Sequence, residues 1–155
     1  TGLLDRLIDD DPAASQESRD QRVLSIQRLR ESVLRDLAWL LNCESLDNLE
    51  DLDGVPQVRT SVLNYGISAL SGNTLSGTNL GRLERRIVEA VRNFEPRILP
   101  ESLAVRATAS DSEMSKKSLS LEIEGELCAQ PVPQRLFLRT EVDLDTGMVT
   151  IKERH

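Results

Sequence analysis

Two oppositely charged residues, Glu95 and Arg97, flank a proline within the sequence Asn-Phe-Glu-Pro-Arg-Ile-Leu-Pro at residues 93–100. A carboxylate in this position could serve as the general acid of a glycoside hydrolase, which works with a second carboxylate at a set separation. The nearest candidate is Glu101, which is close only in sequence. Arg97 and Arg92 favour the ionised form of Glu95, and an ionised carboxylate has no proton to donate. The sequence therefore predicts no catalytic residue in this segment.

Two non-catalytic interpretations of this segment stay open: Glu95 pairs internally with an arginine, or the charged side chains project from a helix end. Proline disfavours the helical conformation of the residue before it, so the helix should end near Phe94 or Glu95. A glutamate there faces the negative end of the helix dipole, so an isolated helix gains nothing from it. We predict a projecting ionic latch that binds a protein partner, formed by Arg92, Phe94, Glu95, Pro96 and Arg97.

The helix that leads into this segment is predicted from apolar residues at three- and four-residue steps. These residues are Leu80, Leu83, Ile87, Val91 and Phe94. Thr78 or Asn79 is a suitable N-terminal cap. The same periodicity predicts a first helix over residues 20–42, in which Trp39 is expected to anchor the core. A short helix is predicted over residues 58–65, ended by Gly66.

After Pro100 the apolar residues alternate with polar ones, which is typical of strands that bury one face. We predict an α+β fold in which N-terminal helices pack on a C-terminal antiparallel β-sheet of about four strands. A hairpin turn at residues 145–147 should lead into the last strand. That strand contains Met148, Val149, Thr150 and Ile151. It is expected to be a sheet edge that either accepts a strand from another chain or is protected by the charges at residues 152–154.

The chain of 155 residues is long enough for one domain with a hydrophobic core. We place that domain at residues 20–155 and expect residues 1–19 to form a mobile arm. The arm carries a short apolar motif that could dock on a partner, formed by Leu3, Leu4, Asp5, Arg6 and Leu7. No apolar run is long enough to cross a bilayer, and no secretory signal is recognisable, so we expect no direct membrane insertion.

Composition argues against several kinds of site. The only histidine is His155, which argues against a zinc site and against catalytic pairs that use histidine. Cys43 and Cys128 are far apart in sequence and are expected to be free thiols of a cytosolic protein. A net charge of −7 argues against nucleic acid as a partner. We predict no cofactor, no metal and no small-molecule substrate.

Four segments of the chain resemble the TssE family, a baseplate subunit of bacterial type VI secretion. They are Leu3-Leu4-Asp5-Arg6-Leu7, Ser32-Val33-Leu34-Arg35-Asp36-Leu37 with Leu40-Leu41-Asn42, Ser61-Val62-Leu63-Asn64-Tyr65-Gly66, and Phe94-Glu95-Pro96-Arg97-Ile98. The last segment contains the Glu-Pro-Arg box that marks the family. The family is in turn similar to the small wedge protein of contractile phage tail baseplates, which was historically labelled lysozyme-like.

The resemblance implies a cytoplasmic, non-enzymatic scaffold in a baseplate docked at the inner-membrane complex. By carry-over from the family, Glu95 and Arg97 would bind the helical core bundle of the larger wedge subunits. The sheet edge would face the contractile sheath. Two alternatives stay open: a peptidoglycan hydrolase, in line with the old label, and a regulatory anti-adaptor binding protein of the same fold. The missing export signal and second carboxylate disfavour the hydrolase.

Overall fold

The computed structural model describes residues 26–67, 77–111, 117–129, 133–143 and 147–153. The predicted arm at residues 1–19, with its motif from Leu3 to Leu7, lies outside the described residues. The helices are α1 (Ile26–Asn42), α2 (Pro56–Arg59) and α3 (Gly77–Phe94), with short 3-10 helices at Leu46–Asn48 and Val62–Asn64. The strands are β1 (Ala104–Asp111), β2 (Lys117–Leu127), β3 (Gln134–Asp143) and β4 (Val149–Glu153).

Helix α1 buries the side that contains Val33, Leu37 and Leu40 against the rest of the core. Trp39, which was expected to anchor that core, is 51% exposed, so this prediction is wrong. The reason is helical geometry. Trp39 follows Leu37 by two positions, which places it on the opposite side of the helix from the face that Leu37 buries. The Arg35 guanidinium lies instead 5.2 Å from the centre of the Trp39 ring, on the outer side of α1.

The short helix predicted over residues 58–65 is divided into α2 and a 3-10 helix. Ser61 lies between them, where its hydroxyl donates to the carbonyl of Val58 and accepts from the backbone N–H of Leu63. Such side-chain bonds to nearby backbone compete with continuous helix, which explains the division. Helix α3 ends at Phe94 as predicted. Its described part starts at Gly77, so Thr78 and Asn79 lie inside the helix and neither is its N-terminal cap.

The four strands form one sheet in the order β1-β2-β3-β4, and every neighbouring pair is antiparallel. One face is buried against α1 and α3 and carries Leu121, Ile123 and Leu138. The other face is largely charged: Glu122 lies opposite Arg106 on one side and opposite Arg139 on the other. The predicted α+β fold, with helices on one face of a four-stranded antiparallel sheet, is confirmed.

No helix within the described residues combines the length and the apolar character that crossing a membrane requires.

Candidate functional site

The segment with the Glu-Pro-Arg box leaves the end of α3 and joins the end of β2. The backbone N–H of Leu99 donates to the carbonyl of Glu126 at 2.8 Å, and the N–H of Cys128 donates to the carbonyl of Arg97 at 2.7 Å. Ile98 is buried between these two bonds. A Cβ atom at Gly125 would lie 2.8 Å from Ile98 Cγ2, so the absence of a side chain on β2 allows this close approach. The box is thereby attached to the sheet.

Within the box, Glu95 and Arg97 form a close ion pair. Glu95 is 3% exposed, and both of its carboxylate oxygens accept hydrogen bonds from Arg97. The Arg97 Nε atom lies 2.6 Å from Glu95 Oε1, and Nη2 lies 2.5 Å from Glu95 Oε2. The backbone N–H of Arg97 also donates to Oε1 at 3.2 Å. This forked geometry matches the planar guanidinium to the carboxylate and is stronger than a single charged hydrogen bond.

The same guanidinium binds α1, about sixty residues earlier in the chain. Its Nη1 atom donates to the Ser32 hydroxyl at 2.9 Å, and its Nη2 atom donates to Asp36 Oδ2 at 2.5 Å. Arg35 contacts Asp36 as well, at 2.8 Å. Arg97 therefore links three parts of the fold: the end of α3, the end of β2 and the middle of α1. We call the group formed by Ser32, Asp36, Glu95 and Arg97 the box network.

Burial lowers the pKa of Arg97, but hydrogen bonds and charge from Glu95 and then Asp36 outweigh it and raise that pKa above its ordinary value. Arg97 thus stays charged at every accessible pH. Its side chain is 18% exposed, which leaves little surface for an external partner. Two aromatic residues lie beside the site. The rings of Tyr65 and Phe94 meet edge to face at 5.2 Å between centroids, and the Tyr65 hydroxyl donates to the carbonyl of Asp36 at 3.4 Å.

The predicted projecting latch is therefore wrong as a geometry for Glu95. Its carboxylate lies inside the protein and is occupied by Arg97, as the alternative interpretation of an internal pair proposed. The physical reason is that α1 packs beside the end of α3 and brings Asp36 and Ser32 to the box. Exposed residues around the box include Pro96 and Arg92, and Arg92 donates from Nη2 to the carbonyl of Pro100 at 3.2 Å.

The second predicted site, the β4 strand, is at an edge of the sheet, where β3 is its only neighbour among the described strands. The N–H of Asp143 donates to the carbonyl of Met148 at 3.0 Å. Hydrogen-bonded and non-bonded pairs alternate in antiparallel strands, so the pairs that contain Val149 and Ile151 are non-bonded. The backbone N–H and C=O of these two residues therefore point away from β3. The side chains differ: Val149 is buried, Ile151 is half-buried, Thr150 is exposed and Met148 is 62% exposed.

One of these outward backbone positions is already occupied. Asn42, the last residue of α1, accepts from the N–H of Val149 at 2.9 Å and donates to the carbonyl of Val149 at 3.0 Å. A side-chain amide carries the same donor and acceptor as a peptide group, so Asn42 acts here as one residue of a fifth strand. Within the described ranges, no group bonds the outward backbone atoms of Ile151. The β4 edge is therefore closed at Val149 and open at Ile151.

The opposite edge of the sheet is covered by α3. The Glu84 carboxylate accepts from the N–H of Ala107 on β1 at 2.8 Å. Helix α3 lies along β1, so this edge has less room for another strand than the β4 edge has. Cys43 and Cys128 are exposed free thiols, and no cluster that could hold a metal ion occurs among the residues that the structure describes.

The family profile of the baseplate wedge protein gp25 matches residues 27–132. The chain belongs to this family. The match includes nearly all of α1, the whole box network, β1 and β2. The wedge family is a family of structural baseplate proteins, and membership implies interaction with other baseplate subunits.

Among solved structures, this wedge-family chain is similar to a Geobacter sulfurreducens protein that carries the provisional name tail lysozyme. The sequences are 19% identical, the likeness covers 72% of this chain and 88% of the other, and the TM-score is 0.47. This likeness is too distant to carry an argument about catalysis. No curated protein matches the chain at a significant level.

Sequence reasoning missed the contacts that Ser32 and Asp36 make with Arg97 and that Asn42 makes with Val149. All three stand in the α1 segment that resembles the family, but only as part of a helix pattern. A polar serine at a buried position of that helix was one available signal, because buried hydroxyls require a hydrogen-bond partner. The partner itself, Arg97, could not be identified without the packing of α1 on the box.

Proposed function

We propose that this protein is a non-enzymatic structural subunit of a type VI secretion baseplate. It joins wedge subunits to one another and provides a platform on which the contractile sheath assembles. It acts in the cytoplasm, in a baseplate docked at the inner-membrane complex. Its partners are other wedge subunits and sheath subunits, and its work requires no cofactor, nucleic acid, small-molecule substrate or membrane insertion.

The observation that carries the non-enzymatic part is the environment of Glu95. A glycosidase needs two carboxylates that face the scissile bond, one of them protonated. Glu95 is 3% exposed and both of its oxygens are bonded to Arg97. The nearest carboxylate in the network, Asp36, is bonded to the same guanidinium. This arrangement supports a structural role, because Glu95 is buried and the oxygens of both carboxylates are paired with arginines.

The wedge-binding surface is proposed to be the outer side of the box. Since Glu95 and Arg97 are held inside, they position the residues around them, while Pro96 and Arg92 are exposed and available for contact. Phe94 supports this surface through Tyr65. The motif from Leu3 to Leu7 is proposed as a second wedge contact, on an arm of residues 1–19 that precedes a single domain at residues 20–155.

The sheath-facing surface is proposed to be the β4 edge, residues 148–151. The outward N–H and C=O of Ile151 offer a position for strand addition, and main-chain hydrogen bonds of this kind give affinity that is independent of side-chain identity. The exposed Met148 lies at the start of the same edge and adds apolar surface. A sheet that continues into the sheath would couple the baseplate directly to the first sheath layer.

Co-purification with wedge subunits tests the first surface. Reversing Glu95 itself is a poor test, because a lysine would place a second cation beside Arg97 in the interior. The sharper variant combines Arg92→Glu with Pro96→Ala, which leaves the box network intact. We expect it to lose capture of the wedge subunits while its urea midpoint stays unchanged. Arg82→Glu, an exposed arginine on the same helix, is the matched control. Unchanged capture by the double variant would rule out the box surface as the interface.

Sheath assembly tests the second surface. Ile151→Pro removes the outward N–H of the β4 edge, and proline is tolerated in edge strands where its missing N–H faces away from the sheet. We expect this variant to fold and to bind wedge subunits but to fail in nucleating sheath assembly, as seen by electron microscopy. Ile151→Val keeps the backbone and most of the side chain, and it should assemble sheath normally. Normal assembly by Ile151→Pro would contradict the proposal.

A further inference from the structure

We propose that Asn42 sets the register of the strand that β4 accepts. This inference rests on the proposed strand addition at the β4 edge and identifies which backbone positions take part. Asn42 already occupies the outward N–H and C=O of Val149, at 2.9 and 3.0 Å. An incoming strand can therefore pair from Ile151 onwards but cannot extend to Val149.

A stop of this kind is required because the sheet itself does not define the register. Side chains alternate along a strand with a period of two residues, so a strand that slips by two residues keeps the same side chains on the same face. The outward positions of β4 also recur every two residues, at Val149, Ile151 and Glu153. The buried and exposed faces alone thus permit registers that differ by two residues. Blocking Val149 prevents a slip towards that end of β4, and a slip the other way gives up the pair at Ile151.

Asn42 is well held for this role. Its amide nitrogen donates to the carbonyl of Ala38 at 2.7 Å as well as to Val149, so both its orientation and its position are defined by α1. Asn42 is the last residue of α1, and the end of that helix packs on β4. An incoming strand is consequently stopped at one point by two features. The backbone of Val149 is already hydrogen-bonded, and the end of α1 lies beside it.

Hydrogen exchange on the isolated protein tests whether Asn42 protects Val149. In the wild-type protein, the Val149 amide should exchange more slowly than the outward Ile151 amide. Asn42→Ala should accelerate exchange at Val149 about fivefold to tenfold, as expected for the loss of one hydrogen bond, and leave Ile151 unchanged. Asn42→Leu is a second variant of nearly the same size, whose side chain neither donates nor accepts a hydrogen bond. Asn93→Ala removes an exposed asparagine near the end of α3 and is the matched control.

Disulfide cross-linking to the sheath subunit of the same system tests the register. The protein carries Thr150→Cys on a background of Cys43→Ser and Cys128→Ser, and single cysteines are placed at successive positions of the sheath strand. With Asn42 present we expect cross-linking at one sheath position. In Asn42→Ala and Asn42→Leu we expect a second product two residues away, whereas Asn93→Ala should behave as the wild type.

The outcomes separate this inference from the proposed function. If cross-linking and slowed exchange at Ile151 occur but the register stays single in both Asn42 variants, the role of Asn42 is wrong and strand addition stands. If the sheath subunit neither slows exchange at Ile151 nor cross-links at Thr150→Cys, strand addition at β4 is itself wrong, and the inference falls with it.

Discussion

The box network and the β4 edge hold their polar groups in opposite ways. At the box, every carboxylate oxygen of Glu95 is bonded to Arg97, and the guanidinium continues to Ser32 and Asp36. At the β4 edge, Asn42 bonds the outward backbone of Val149, and within the described residues no group bonds the next outward position, at Ile151. The first site stabilises the fold, whereas the second retains unsatisfied capacity for a partner.

The difference follows from where each group could find a partner. Charged side chains are long enough to reach a neighbouring element, and a buried charge is tolerated only when it is paired, so packing α1 on the box pairs those charges internally. Backbone groups at a sheet edge cannot extend to a neighbouring element in this way. They are paired only when another strand, or a side chain that carries the same donor and acceptor, lies beside them. A charged motif in a sequence is thus weaker evidence for a binding surface than an edge strand.

The largest effect is expected when the box network loses its cation. Arg97→Met leaves the buried Glu95 without a charged partner, which costs about 3 to 5 kcal/mol for a broken buried ion pair. Urea unfolding measures the loss. The control is Arg97→Met combined with Glu95→Met, which leaves no unpaired buried charge at the box and should recover much of the lost stability. A single variant that unfolds at the wild-type midpoint would show that the network does not stabilise the fold.

A smaller effect is expected where the box joins the sheet. Gly125→Ala places a Cβ atom 2.8 Å from Ile98 Cγ2, so either β2 or the box segment must shift. Overpacking of this kind costs about 1 to 3 kcal/mol. Thermal unfolding followed by circular dichroism measures it, with Gly81→Ala as control because a Cβ at Gly81 meets no atom within 4 Å. Equal midpoints for the two variants would mean that the box is not fastened to β2 at this point.

At the β4 edge the expected loss is smaller again. Asn42→Ala removes two hydrogen bonds to Val149, but solvent reaches the edge and replaces them, so we expect a loss of about 1 kcal/mol in the free energy of unfolding. Chemical denaturation compared with Asn93→Ala measures this loss. A loss in the free energy of unfolding as large as that of Arg97→Met would show that the β4 edge stabilises the fold as much as the box network does. That result would contradict the contrast between the two sites.

The smallest effect is expected on the surface of the box. Arg92→Ala removes one bond from an exposed side chain to the carbonyl of Pro100. Water replaces that bond, so the free energy of unfolding should change by no more than about 0.5 kcal/mol. The same denaturation series measures it. A loss above about 2 kcal/mol would show that the box network extends to its exposed rim.

Much of the fold could be predicted because it depends on local patterns. The period of α1 and of α3, the end of α3 at Phe94 and the alternation in the strands all reflect whether successive side chains share a face. The division of the middle segment at Ser61 was missed because a single hydroxyl competes with the helix there. Trp39 was misplaced because its size suggested burial while its position on α1 points outward.

The sequence by itself determined that Glu95 and Arg97 stand at the end of a helix, and that residues 149–151 belong to the last strand of an antiparallel sheet. Only the tertiary structure decided what those groups bind. Arg97 finds Asp36 and Val149 finds Asn42 through contacts about sixty and one hundred residues apart in the chain. Such contacts depend on how helices pack against the sheet, and that packing is governed by the shape of a shared core instead of by any local pattern.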